Sequence, residues 1–151
     1  FTLEETVSDN IIKKLIESLK HQEETVRRFS AIALTEINEV RTLSAVVAGN
    51  SHGRAIRTAA ARRLKKFGPQ AREAILSLIT LIEYPKINWR SHYAASEALS
   101  NIGEDAKDEL LKRLDSPSKS VRYYCALALE QMNNTKLHQK RIENILKNDV
   151  K

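Results

Sequence analysis

The stretch Ile56-Arg57-Thr58-Ala59-Ala60-Ala61-Arg62-Arg63-Leu64-Lys65-Lys66-Phe67-Gly68 decides the fold. Ile56, Ala60, Ala61, Leu64 and Phe67 recur at intervals of three and four, which places them on one stripe of an α-helix. The same order of residues returns three times. It reads Val26-Arg27 with Ala31, Ala33, Leu34 and Ile37, then Ala95, Ala98, Leu99 and Ile102-Gly103, then Val121-Arg122 with Ala126, Ala128, Leu129 and Met132. Aligned on the late leucine, the four copies fall at Leu34, Leu64, Leu99 and Leu129. The small residues early in each copy let a neighbouring helix approach closely, and the later leucine supplies buried bulk.

Each copy is preceded by a second helical pattern. These are Ile11, Ile12, Leu15, Ile16 and Leu19; Val40, Leu43, Val46 and Val47; Ala74, Ile75, Leu78, Ile79 and Ile82; and Leu110, Leu111 and Leu114. Polar or Pro/Gly-bearing breaks divide the members of each pair at 21–24, 49–53, 84–88 and 115–119. Pro69 and Pro117 stand where a first helical turn tolerates a missing amide, so both are read as helix starts. The predicted organisation is a single all-helical domain of repeats at about 9–38, 39–68, 69–103 and 104–133, with a closing helix over 135–149. That last run carries Leu137, Ile142, Ile145 and Leu146, polar on its outer side.

Composition narrows the classes further. The 151 residues are 42% hydrophobic and 29% charged, too rich in core formers for disorder and too charged for a membrane protein. Only 4 Gly and 3 Pro leave too little punctuation for an all-β fold. The single cysteine, Cys125, excludes an internal disulfide and a thiolate zinc cluster, and favours a reducing, cytoplasmic setting. The chain opens on Phe1 with no signal pattern, which reads as part of a longer protein.

The pattern V-R-x-x-A-A-x-A-L-x-x-I-G, preceded by a helix and a short turn, resembles HEAT repeats of the short bacterial type, as found in phycobilisome lyases. The resemblance runs from about Asn10 to Asn148. It implies a right-handed α-solenoid of about four helix pairs with a C-terminal capping helix, and it specifies function weakly. It also implies that Arg27, Arg57 and Arg122 stitch neighbouring repeats together, and that the second helices line a concave binding face. Two departures stand out. Only Asp115 supplies the usual acid in the turn, and in the third repeat Ser91-His92 take the Val-Arg places. A longer or kinked helix entry is expected at Trp89-Arg90.

Motifs for catalysis are missing from the sequence: no metal-ligand spacing links His21, His52, His92 and His138, which read as surface or capping residues, and four glycines build no phosphate loop. Cys125 falls in the small-residue series Ser30, Ala60, Ala95, Cys125 and reads as structural. No metal or cofactor is expected.

The net charge of +6 is local. Residues 1–40 carry −3, residues 41–74 carry +7, and residues 75–151 carry +2. The basic cluster is Arg54, Arg57, Arg62, Arg63, Lys65, Lys66 and Arg72, with no acid between them. It reads as an internally paired face, a dock for an acidic protein segment, or a site for nucleic-acid backbone. A stripe two, six and nine places after the Val position gives the candidate contacts: Arg28, Ile32 and Thr35; Thr58, Arg62 and Lys65; Tyr93, Glu97 and Ser100; Tyr123, Leu127 and Glu130. Aromatic and basic residues look segregated along it, which favours a protein partner over nucleic acid. The expectation is a monomeric, non-catalytic, protein-binding scaffold with Arg28, Arg62, Lys65, Tyr93, Glu97 and Tyr123 in contact. The alternatives are a nucleic-acid binder similar to HEAT-like DNA glycosylases, which need more pocket aromatics than this chain offers, and a subunit similar to bilin lyases.

Overall fold

A computed structural model describes residues 3–49, 53–85, 88–133 and 135–149; His52 lies outside them. Every regular element among these residues is helical, and no strand occurs among them. The α-helices are α1 (Leu3–Ser18), α2 (Glu24–Ile37), α3 (Val40–Ala48), α4 (Arg54–Phe67), α5 (Ile75–Glu83), α6 (Trp89–Ile102), α7 (Glu104–Arg113), α8 (Lys119–Gln131) and α9 (Gln139–Asn148). Two 3-10 turns, Gly68–Ala74 and Lys136–His138, lead into α5 and α9. None of the described helices is long and apolar enough to cross a membrane.

Packing follows the repeat. α1 lies on α2, α3 on α4, α5 on α6 and α7 on α8, while α9 closes against α8. The second helices α2, α4, α6 and α8 also touch in sequence, as do α1, α3, α5 and α7. The four aligned leucines, Leu34, Leu64, Leu99 and Leu129, are wholly buried, as are Ala60, Ala95 and Cys125 in the small-residue series. Burial also pushes the Cys125 thiol up to about 12, so it stays a neutral core group.

The third repeat differs in another place than the sequence suggests. α6 begins at Trp89, so Ser91-His92 occupy its third and fourth positions, as Val26-Arg27 do in α2, Ile56-Arg57 in α4 and Val121-Arg122 in α8. Its entry is neither longer nor displaced, and Asn88 caps it by accepting from the Ser91 amide at 3.2 Å. The extra residues sit upstream. Seven residues of 3-10 turn separate α4 from α5, where only Asn38 and Glu39 separate α2 from α3. Pro69 belongs to that 3-10 turn, and Pro117 precedes the Ser118 N-cap of α8 instead of opening the helix. α1 starts at Leu3, ahead of the boundary read at 9. Leu137, grouped above with the closing helix, is 91% exposed in the 3-10 turn before it, whereas Ile142 and Ile145 are buried.

At the fourth position of each second helix, one side chain ties that helix to the segment before it. Arg27 Nη1 donates to the His21 and Gln22 carbonyls at 2.7 Å. Arg57 Nε donates to the Val47 carbonyl at 3.0 Å, His92 Nε2 to the Tyr84 carbonyl at 3.2 Å, and Arg122 Nη1 to the Ser116 carbonyl at 2.7 Å. These bonds bind the two helices of one pair, and the Arg57 guanidinium, 5.0 Å from the Tyr84 ring centre, also reaches the following pair. Arg122 also meets a carboxylate just past α9, Asp149, at 2.8 Å through Nε.

Candidate partner-binding face

The second helices expose crests that are rotated from the stripe read in the sequence. On α4 the crest runs through the exposed Ala55, Ala59, Arg62 and Lys66, and on α2 through the equivalent Thr25, Phe29, Ile32 and Glu36. Thr35 and Thr58, expected on the contact stripe, are buried. Each satisfies its hydroxyl on its own helix, Thr35 on the Ala31 carbonyl at 2.7 Å and Thr58 on the Arg54 carbonyl at 2.8 Å. A polar side chain that bonds back to the preceding turn can be buried at little cost.

Two clefts flank the α4 crest. The first, about 240 Å³, lies between α4 and α6 and is lined by Arg62, Trp89, Arg90, Tyr93, Ala94 and Glu97. Trp89 is 59% exposed, and the Arg90 guanidinium stacks 4.9 Å from its ring centre. Arg62 is exposed and forms no ion pair among the described residues. Glu97 is engaged by Lys65 Nζ at 2.9 Å. The second cleft, about 260 Å³, lies between α2 and α4, with Ile32, Ala55, Ile56 and Ala59 on its apolar walls and Arg63 at its edge. Phe29 stands on the α2 crest one turn from Ile32, 72% exposed.

The basic cluster is redistributed by folding. Arg57 is only 2% exposed, so it belongs to the interior and not to the patch. Its guanidinium lies 5.0 Å from the Tyr84 ring centre, its Nη2 has no hydrogen-bond partner among the described residues, and desolvation lowers its pKa. Arg63 pairs with Glu36 at 3.0 Å and donates to the Thr35 carbonyl at 2.5 Å. Arg54, Arg62, Lys66 and Arg72 remain exposed.

Of the contacts expected from sequence, Arg62, Tyr93 and Glu97 share the first cleft, with Lys65 joined through Glu97. Arg28 stands apart on α2, 3.7 Å from Glu24. Tyr123 is half-buried on α8, edge-on to Tyr124 at 5.1 Å, and Tyr124 in turn packs 5.1 Å from His92. His92 is therefore a core residue, which corrects its reading as a surface or capping histidine; burial lowers its pKa.

Sequence reasoning missed Phe29, Ala59, Trp89 and Arg90 as members of this face. For Phe29, Ala59 and Arg90 the signal was the crest register itself, one place before the Val position and three, six and ten places after it, whereas Trp89 stands two places before Ser91 and outside that register. The expected segregation of aromatic from basic residues is also overturned, because Trp89 and Tyr93 interleave with Arg62 and Arg90 in one cleft. Planar guanidinium groups suit bidentate binding of carboxylates, and exposed aromatics offer rigid contact area. No cluster of metal-ligating side chains occurs among the described residues. No family model matches the chain, and no curated protein matches it.

Proposed function

We propose that the chain is a HEAT-like α-solenoid of four helix pairs and a closing helix, acting as a non-catalytic module that docks an acidic protein segment. The solenoid reading is supported by the serial packing of the second helices and by the common register of their fourth residues. The docking reading rests on one observation: the α4–α6 cleft places unpaired Arg62 beside Arg90, Trp89 and Tyr93 on an open face.

In this reading Arg62 and Arg90 steer and hold carboxylates, while Trp89 and Tyr93 supply contact area at low entropic cost. The test titrates a glutamate-rich synthetic peptide into the protein and follows the fluorescence of Trp89, its one tryptophan. Wild type should respond, with affinity falling as salt rises. Arg62→Glu with Arg90→Glu should lose the response by about tenfold or more while keeping the helical circular-dichroism signal, because each reversed charge exchanges attraction for repulsion. An unchanged titration in that variant sinks the proposal.

A second reading, binding of single-stranded nucleic acid, draws on the same interleaving of aromatics and cations, since bases stack on exposed rings. It predicts that a homopolymeric oligonucleotide competes with the peptide at low salt. A gel shift that finds no complex at any salt concentration removes it.

A further inference from the structure

The two clefts lie side by side across one ridge, and their chemistry differs. Between α2 and α4 the walls are apolar, Ile32, Ala55 and Ala59, with Phe29 exposed nearby; between α4 and α6 the cleft is cationic and aromatic. They also occupy the same level along the helices. The α2–α4 cleft spans Ala55 to Arg63 on α4, and the α4–α6 cleft spans Trp89 to Glu97 on α6, which begin one residue apart in the shared register. A ligand crossing the face therefore moves sideways by one helix-to-helix distance, about 8–10 Å.

Chain geometry converts that distance into a sequence spacing. In an extended β-strand, side chains on one face repeat every two residues, at steps of about 6.6 Å, so they fall short at the second residue and overshoot at the fourth. A polyproline II segment has three residues per turn at about 3.1 Å each, returning a side chain to the same face after about 9.3 Å. That match is close. Polyproline II segments are moreover recognised by grooves with exposed aromatics, and Phe29, Trp89 and Tyr93 are such residues on this face.

Building on the docking reading above, we propose that the face recognises a two-point motif in a polyproline II segment. An apolar side chain seats between α2 and α4 against Ile32 and Ala59. A carboxylate three residues away meets Arg62 and Arg90. Charge complementarity selects an acidic occupant: Arg62, Lys66 and Arg90 are all exposed along its path, and the nearer acids Glu36 and Glu97 are already engaged by Arg63 and Lys65.

The experiment uses the full chain and four synthetic peptides in neutral flanks, read by Trp89 fluorescence. One carries Leu-Pro-Pro-Glu, one replaces its leucine by serine, and two keep the composition with leucine and glutamate two or four residues apart. The Leu-Pro-Pro-Glu peptide should bind about tenfold tighter than the other three. Ile32→Ser, at an exposed position that leaves the core intact and adds no charge, should erase that preference while leaving the serine peptide unchanged. If all four peptides bind equally well, or if Ile32→Ser weakens them all alike, the two-point motif is wrong and the acidic dock stands. If none binds, the docking reading fails with it, and so it does if an oligonucleotide displaces every peptide at equal strength.

Discussion

The fourth residue of each second helix does the same task with two different side chains. Arg27, Arg57 and Arg122 reach backbone carbonyls through charged groups, while His92 reaches the Tyr84 carbonyl through a neutral ring. His92 is also enclosed by Tyr124, with Ser120 Oγ at 3.4 Å from Nδ1, and burial holds its pKa below the ordinary histidine value. The linkage has a definite sign. Below about pH 6.5 the unfolded chain takes up a proton that the folded chain resists, so stability falls as the pH drops toward the folded value. The carboxylates with displaced values, Glu109 and Asp149, are lowered by their cationic partners Lys112 and Arg122 and act in a more acidic window. Urea midpoints compared at about pH 7 and about pH 5 should therefore decrease toward acid in wild type. His92→Gln, which keeps a donor for the Tyr84 carbonyl, should flatten that decrease. An equal decrease in both proteins would assign it to other groups.

At the scale of the element, the helix ends carry the clearest backbone requirement. Asn38, Gly68, Gly103 and Asn133, each just after the last apolar position of its repeat, all have positive φ, at 58°, 54°, 84° and 54°. Asn38 combines φ 58° with ψ 43°, a left-handed conformation that asparagine tolerates. Gly103 combines φ 84° with ψ −137°, which a side chain rarely adopts, although a Cβ there would meet nothing within 4 Å. The cost of Gly103→Ala is thus conformational, and a loss of about 1–3 kcal/mol is expected in chemical denaturation. A neutral result would mean that the α6–α7 junction relaxes without penalty.

These ends were legible in the sequence as the recurring Ile-Gly and Phe-Gly pairs, and the helices as the leucine spacing. Two features were not. Trp89-Arg90 imitates Val-Arg two places early, and only folding reveals that the five extra residues are absorbed by the Gly68–Ala74 turn. The exposed crest was misplaced because the stripe counted two, six and nine places after the Val position runs through Thr35 and Thr58, which are buried with their hydroxyls bonded within the helix. The functional cleft suffered from the first error, since Trp89 and Arg90 belong to the misread entry, while Arg62, Tyr93 and Glu97 lay on the expected stripe.

For the whole molecule, the decisive property is that contacts run between neighbours. α9 packs on α8, and α8 on α6 and α7, so what the closing helix protects should be the end of the stack and not its middle. Ile142 is wholly buried, and Arg122 and Asp149 tie α8 to the residue just past α9 by two hydrogen bonds, at 2.8 and 3.2 Å. In a quasi-one-dimensional array, stability is a sum of repeat terms and interface terms, and removing one interface loosens its own side first. Ile142→Ala weakens that interface by about 2–5 kcal/mol on the usual scale for a buried isoleucine. Cys125, the single thiol, is buried in α8 and reports locally, because its high pKa and burial keep it unreactive while α8 is closed. In Ile142→Ala, labelling of Cys125 by a thiol reagent should accelerate at urea concentrations where the bulk helical signal is still native. Wild type should label only as that signal is lost. If the two probes stay coincident in the variant, the chain unfolds as one cooperative unit, and neighbour-only coupling is the wrong description of it.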